Sequence, residues 1–213
     1  MIILFANQKG GVGKSTLSVL FSNYLTLAKN KAVKVYDMDF QRSLYNKAQA
    51  AEVIENTPLY PVEAAELSQF NAIQKKDNKK ENQVSIIDLA GKMDDDLVPV
   101  FQKSDLILCP FSYDEYSVSS TIEFSFVIKK INPNAKIIFI PNRVRSSVKY
   151  ETMKSVQDAL KNFGAVTSSI TERIDFQRIT TYDIPSNIIE VIEPVFESIY
   201  NEYIDPAWHK MIT

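Results

Sequence analysis

LFANQKGGVGKSTL, residues 4–17, decides the fold class of this chain. It ends on the phosphate-loop pattern G-x-x-x-x-G-K-[ST] at Gly13, Lys14 and Ser15. Gln8 stands where that pattern begins with glycine, and a second lysine, Lys9, follows it. Upstream, Ile2 to Ala6 form an apolar run with β-branched residues; downstream, Leu17, Leu20, Phe21, Tyr24 and Leu25 recur at helical spacing. The loop therefore joins a strand to a helix, which argues against a glycine-rich turn with a chance Lys-Ser. Glycines at positions 10, 11 and 13 let successive N–H groups point inward at phosphate oxygens, and the following helix adds free amides and a positive dipole end. The expected nucleotide contacts are Gly10, Gly11, Val12, Gly13, Lys14, Ser15 and Thr16. Lys14 would reach the β- and γ-phosphates, and the Ser15 hydroxyl would hold Mg2+.

Outward from that loop, strand-like runs alternate with helical stretches. The strands are read at 33–39 (VKVYDMD), 58–63 (PLYPVE), 84–90 (VSIIDLA), 105–111 (DLILCPF), 136–142 (KIIFIPN) and, briefly, near 165–170. Helices are expected from about Ser43, after residue 63, from Glu115 to Ile131, from Val148 to Phe163 and from Ser186 to Tyr203. Continuous apolar strands separated by helices indicate an α/β fold, a mostly parallel central sheet with helices on both faces. With 213 residues and no long Pro/Gly/Ser linker, one domain over 1–213 is expected. KKDNKKENQ (75–83) reads as a solvated surface turn, and MDDD (93–96) as charge at a helix N-terminus.

The net charge of −2 excludes a uniformly basic nucleic-acid binder but not a local patch. The single cysteine, Cys109, excludes an intramolecular disulfide framework and, in its apolar run, reads as a buried small hydrophobe in a reducing compartment. The first strand begins at once, so a signal peptide is not expected, and no apolar run approaches membrane-spanning length. A cytoplasmic protein without integral membrane association follows as an expectation.

KGGVGKST preceded by ANQ resembles the deviant Walker A loop of the ParA/MinD family of P-loop ATPases, and its ParA branch in particular. In that family the additional lysine, Lys9 here, crosses a dimer interface to the partner's nucleotide. The resemblance thus implies a homodimer in the ATP state and a role for Lys9 in catalysis beside Lys14. Charge on the γ-phosphate that is supplied in trans would make hydrolysis conditional on dimerisation. A solvated lysine paired with carboxylates of its own chain is the plainer reading of Lys9.

The strand VKVYDMDFQRS resembles the family's D-x-D-P-Q segment, which implies that Asp37 supports the metal site and Asp39 positions or activates the attacking water. Phe40 replaces the family's proline, and from the residues alone the paired aspartates could instead cap the next helix. Asp88, ending VSIIDLA, matches a Walker B carboxylate that holds Mg2+ through water, and Gly91 stands where a γ-phosphate sensor would be. FIPNR (139–143) resembles the family's adenine-contacting segment. Asn142 offers both donor and acceptor to the base edge, while Arg143 would contact the base or ribose, or face solvent.

Between Lys129 and Arg178 basic residues outnumber acidic ones, and in ParA-like proteins such a half binds double-stranded DNA without sequence preference once ATP has made the dimer. Dispersed solubilising charge is the alternative. The resemblance implies a weak Mg-dependent ATPase of a bacterial cytoplasm, associated with the nucleoid. Its partner would be a ParB-like centromere-binding or adaptor protein, and its task segregation of a plasmid or other DNA element, or positioning of a cargo. An N-terminal helix-turn-helix is not expected, which argues against autorepression. A MinD-like membrane or protein-surface switch would need a C-terminal amphipathic helix, but EYIDPAWHKMIT breaks at Pro206. A metabolic ligase or kinase is disfavoured by Lys9. Tyr200 and Tyr203 lie in a helix and not in a tyrosine-rich tail, against an autokinase, and Trp208 and His209 are read as packing or capping residues.

Overall fold

The computed structural model describes residues 1–77, 82–91 and 94–206. Seven strands form one all-parallel sheet: β1 (Ile2–Phe5), β2 (Ala32–Asp37), β3 (Val62–Ala64), β4 (Gln83–Asp88), β5 (Leu106–Phe111), β6 (Ile137–Pro141) and β7 (Ala165–Val166). Their spatial order is β3-β2-β4-β1-β5-β6-β7. The helices are α1 (Lys14–Leu27), α2 (Ser43–Val53), α3 (Phe70–Asp77), α4 (Val98–Lys103), α5 (Glu115–Ile131), α6 (Met153–Leu160) and α7 (Ser186–Ile199), the last running on through one π-helical turn at Tyr200–Ile204.

The period of two along each strand divides the interior between two faces. Ile3 and Phe5 of β1, Leu106 and Leu108 of β5, and Ile138 and Ile140 of β6 join one core, with Leu20 and Phe21 of α1 and Ile192 and Phe196 of α7. Their neighbours Ile2, Leu4, Ile107, Cys109, Ile137 and Phe139 face the other core, with Phe101 of α4 and Phe124 of α5. Edge-on aromatic contacts tie both layers, Phe21 to Phe196 at 4.9 Å and Phe101 to Phe124 at 5.8 Å between ring centres. Each such fully buried side chain contributes about 1.5–3 kcal/mol of burial. Cys109 is fully buried, as its apolar setting implied, and burial pushes its thiol pKa up.

The larger departures from the sequence reading lie at three places. The strand expected at 58–63 forms only over Val62–Ala64; Pro61 has no N–H to give a ladder, although its carbonyl accepts from the Val35 amide. The helix expected from Val148 begins at Met153, because the preceding segment is tied down otherwise: the Arg145 amide donates to the Tyr150 hydroxyl, and Tyr150 packs on Tyr113. The strand expected to reach 170 ends at Val166, and the chain continues as a loop bonded to the end of β6 through the amide of Ile170 and the carbonyl of Pro141. Residues 78–81 of the basic 75–83 segment, Met93, Trp208 and His209 lie outside the described residues. Asp95 and Asp96 form the first turn of a short helical segment leading into α4, the helix-terminus charge the sequence suggested. Among the described residues, no helix is long and apolar enough to cross a membrane.

Candidate functional site

β1 and β4 are neighbours with Phe5 opposite Asp88, yet the chain leaves them in opposite directions, from β1 past β4 to β2 and from β4 past β1 to β5. The crevice beyond their carboxyl ends is where open parallel sheets bind ligands. The loop after β1 and the end of β4 meet there.

Gly13 takes a left-handed backbone, φ 96°, immediately before α1, and the helix's first turn has no side-chain cap. The opening amides of α1 and its dipole thus remain available to an anion. A Cβ on Gly13 would lie 2.4 Å from the Asn142 amide nitrogen, so the loop can close over β6 only with glycine here. A cavity of about 1100 Å³ opens above, lined at one end by Gly10, Gly11, Gly13, Lys14, Ser15 and Thr16. Val12 turns inward and is buried.

Lys14 is buried and donates to the Lys9 carbonyl at 3.2 Å. Burial lowers its pKa, against the opposing pull of Asp88 and Asp39. Lys9 diverges from it. Its ammonium lies 5.8 Å from the ring centre of Tyr116, at the start of α5, and its charge helps lower the pKa of Asp114 beside it, whose carboxylate also accepts from Ser112 and from the Ser117 amide. None of the ion pairs among the described residues includes Lys9.

Asp37 and Asp88 sit side by side at the ends of β2 and β4. Asp37 is fully buried; its two oxygens accept from the amides of Asp39, Leu44 and Tyr45. The helix-cap reading therefore holds for Asp37, which fixes the entry to α2 and the orientation of Asp39. The Asp39 carboxylate lines the cavity and accepts from the Gln41 amide. Phe40 beside it is 97% exposed.

Asp88 is buried, and its Oδ1 has no hydrogen-bond partner. Burial pushes its pKa up to about 7, with Asp37 and Asp39 adding to the rise and Ser15 and Lys14 opposing it. An orphaned carboxylate oxygen beside a serine hydroxyl at a phosphate loop fits a divalent cation that would restore the charged form. Among the described residues no three His, Cys, Asp or Glu side chains converge on a metal position. Mg2+ is usually held by one or two protein oxygens together with phosphate and water. After β4, Gly91 passes close enough that a Cβ would lie 3.4 Å from the Lys14 ammonium.

Against the phosphate loop Asn142 is buried, donating from Nδ2 to the Val12 carbonyl at 2.8 Å while its Oδ1, also buried, has no partner. Arg143 has a left-handed backbone, φ 58°, and donates to the Gly11 carbonyl at 2.7 Å. It and Arg145 both pair with Glu172. Arg173, Ile174, Phe176 and Gln177 complete this wall. The sequence reading missed the 172–177 wall, whose last four residues lie in a 3-10 helix, Ile174–Arg178, too short for a helical period to mark it. Arg143, Arg145 and Arg173 of the basic stretch therefore line the cavity, and Lys129 bonds to the carbonyls of Pro133 and Ala135.

The profile of the CobQ/CobB/MinD/ParA nucleotide binding domain matches residues 3–185. No curated protein matches the chain in sequence. Among solved structures, a plasmid partition protein of Borrelia burgdorferi B31 bound to AMPPNP is 24% identical, with a TM-score of 0.68 over 94% of this chain and 98% of that one. MinD in the MinC:MinD complex of Aquifex aeolicus gives 17% identity and a TM-score of 0.70 over 95% and 97%. A variant of Cyanothece McdA in complex with ATP gives 16% and 0.69 over 94% and 95%. At these identities the likeness speaks for the fold.

Proposed function

The chain belongs to the CobQ/CobB/MinD/ParA nucleotide-binding family, and from that premise we propose that it is an ATP-driven dimerising switch of ParA type, a weak Mg-dependent ATPase whose ATP state binds DNA without sequence preference. The observation that carries the reading is the divergence of the two loop lysines. Lys14 is buried at the chain's own phosphate loop, whereas the Lys9 ammonium lies outside, over Tyr116. An amine so placed is available to a second copy.

In this account Gly10 to Thr16 hold the phosphates through the loop and the first turn of α1, and Lys14 turns its other two N–H donors to the phosphate oxygens. Asn142 and Arg143 flank the base. Ser15 and Asp88 hold Mg2+, with Asp37 supporting the site through its field on Asp88; the metal supplies charge neutralisation at the phosphates. Asp39, oriented by the Asp37 contact, positions the water that yields ADP and phosphate. Lys9 of each protomer completes the other's site, so hydrolysis separates the pair. The cellular task is segregation of a plasmid or other DNA element, or positioning of a cargo on the bacterial nucleoid, with a ParB-like or adaptor protein as stimulating partner.

The test is fluorescence anisotropy of arbitrary double-stranded DNA with Mg-ATP, with Mg-ADP and without nucleotide, at two salt concentrations. Salt-sensitive binding confined to ATP is expected. Equal failure in all three with dimerisation intact would move the function to a membrane or protein surface, the MinD-like alternative.

A further inference from the structure

Asn7 follows β1 just ahead of the phosphate loop and is buried, apart from the residues that line the cavity there. A side-chain amide has two N–H donors and an acceptor oxygen, and at Asn7 all are engaged. Nδ2 donates to the carbonyl of Pro110 in β5 at 2.8 Å and to the hydroxyl of Thr121 in α5 at 2.9 Å. Oδ1 accepts from the backbone amide of Lys9 at 3.0 Å. These backbone partners fix the orientation, since a carbonyl can face only the nitrogen and an N–H only the oxygen. Thr121 is fully buried and gives its own proton to the Ser117 carbonyl at 2.7 Å, so its oxygen meets Asn7 as an acceptor. Ser117 in turn is fastened to the segment after β5. Its hydroxyl accepts from the Ser112 amide at 3.1 Å, and its own amide donates to Asp114 at 2.9 Å. The same first turns of α5 carry Tyr116, over which the Lys9 ammonium lies.

We propose that Asn7 and Thr121 are positioning residues for Lys9: they set the backbone of residue 9 against α5 and thereby fix where its ammonium leaves the surface. The rest of the loop has fastenings of its own, the carbonyls of Val12 and Gly11 being held by Asn142 and Arg143 from the end of β6. Loss of the Thr121 hydroxyl therefore acts on Lys9 and leaves the phosphate-binding part of the loop in place. It strips the partner from one buried Asn7 donor. The amide can recover a partner only by turning, and turning releases the Lys9 N–H. The placing of Lys9 stands on these bonds; its consequence for a second copy of the chain rests on the switch reading above.

The experiment has two arms. In the first, the backbone amide resonances of isotopically labelled lysines are compared in the full, nucleotide-free chain for the parent, Thr121→Val and Thr121→Ser. The Lys9 amide is expected to shift in Thr121→Val and to return in Thr121→Ser, with Lys14 unmoved throughout. Should Thr121→Val not fold, Thr121→Ala makes the same comparison. An unmoved Lys9 amide, or a Lys14 amide that moves as far, overturns the proposal. In the second arm, self-association with Mg-AMPPNP is measured by sedimentation equilibrium, and Mg-ADP affinity by calorimetry. Thr121→Val should weaken self-association about three- to tenfold and leave Mg-ADP affinity unchanged, and Thr121→Ser should restore the association. Full association in Thr121→Val, or a loss of Mg-ADP affinity by the same factor, overturns the proposal. If the parent does not associate with Mg-AMPPNP while its Lys9 amide still answers to Thr121, the switch reading fails and the placing of Lys9 stands.

Discussion

The ammonium of Lys14 lies 3.2 Å from the carbonyl oxygen of Lys9. The lysine that resembles the phosphate-reaching one is thus bonded, in the free chain, to the backbone of the other. That bond uses one of the ammonium's three N–H donors and leaves two for a phosphate. Replacing Lys14 with Met keeps the aliphatic stem and removes the charge. Nucleotide affinity is expected to fall about ten- to a hundredfold by calorimetry, since charged hydrogen bonds are the stronger kind. Unchanged affinity would remove Lys14 from the site.

Asp39 is held by Asp37 yet faces the cavity. Asp39→Ala is expected to lower phosphate release about a hundredfold or more while ATP still binds, leaving the closed dimer trapped. Normal hydrolysis in this variant would assign the water to another group. Asp37→Ala should behave differently. Loss of acceptors for the Asp39, Leu44 and Tyr45 amides frees the start of α2, and a stability loss of about 1–3 kcal/mol is expected in denaturant titration.

Gly13→Ala places a methyl 2.4 Å from the Asn142 amide at a backbone angle of φ 96°. The strain is about 1–3 kcal/mol, and each kcal/mol lowers Tm by about 2–4 °C in a chain of this size. Scanning calorimetry should show the drop. A second change, Asn142→Ala, should return part of it by removing the obstructing group.

The pH dependence follows from Asp88, whose folded pKa is raised to about 7 by burial. A carboxyl raised in the folded state binds more protons there than in the unfolded chain, so its contribution to stability falls as pH rises from the ordinary Asp range toward about 7. With Asp88 assigned to the metal site, Mg-nucleotide would reverse the penalty by favouring the charged form. The gain in Tm on adding Mg-ATP should therefore be larger at pH 7.5 than at pH 5.5, and Asp88→Asn should reduce that difference. A pH-independent gain in the parent chain would contradict the assignment.

The phosphate loop, the parallel sheet and the strand-end carboxylates were legible in the sequence because each is local: glycine spacing, apolar runs, and an aspartate closing a run. What was not legible depends on residues distant in sequence. Asn142 is tied to the phosphate loop because its amide donates to Val12, some 130 positions away. Asp37 caps α2 although its chemistry suits a metal equally well, and only the fold shows where its lone pairs go. Which residues of the basic stretch from Lys129 to Arg178 share a face could not be read from the sequence; the fold brings three of its arginines, Arg143, Arg145 and Arg173, to the cavity beside the phosphate loop.

The central claim is that Lys9 acts across a dimer formed by ATP. Sedimentation velocity of the parent chain and of Lys9→Ala, each with Mg-AMPPNP and with Mg-ADP, tests it most directly. The account predicts a doubling of mass for the parent with Mg-AMPPNP only, and a monomer for Lys9→Ala under both conditions despite retained nucleotide binding. A parent chain that stays monomeric with Mg-AMPPNP, or a Lys9→Ala variant that dimerises as fully as the parent, would contradict it.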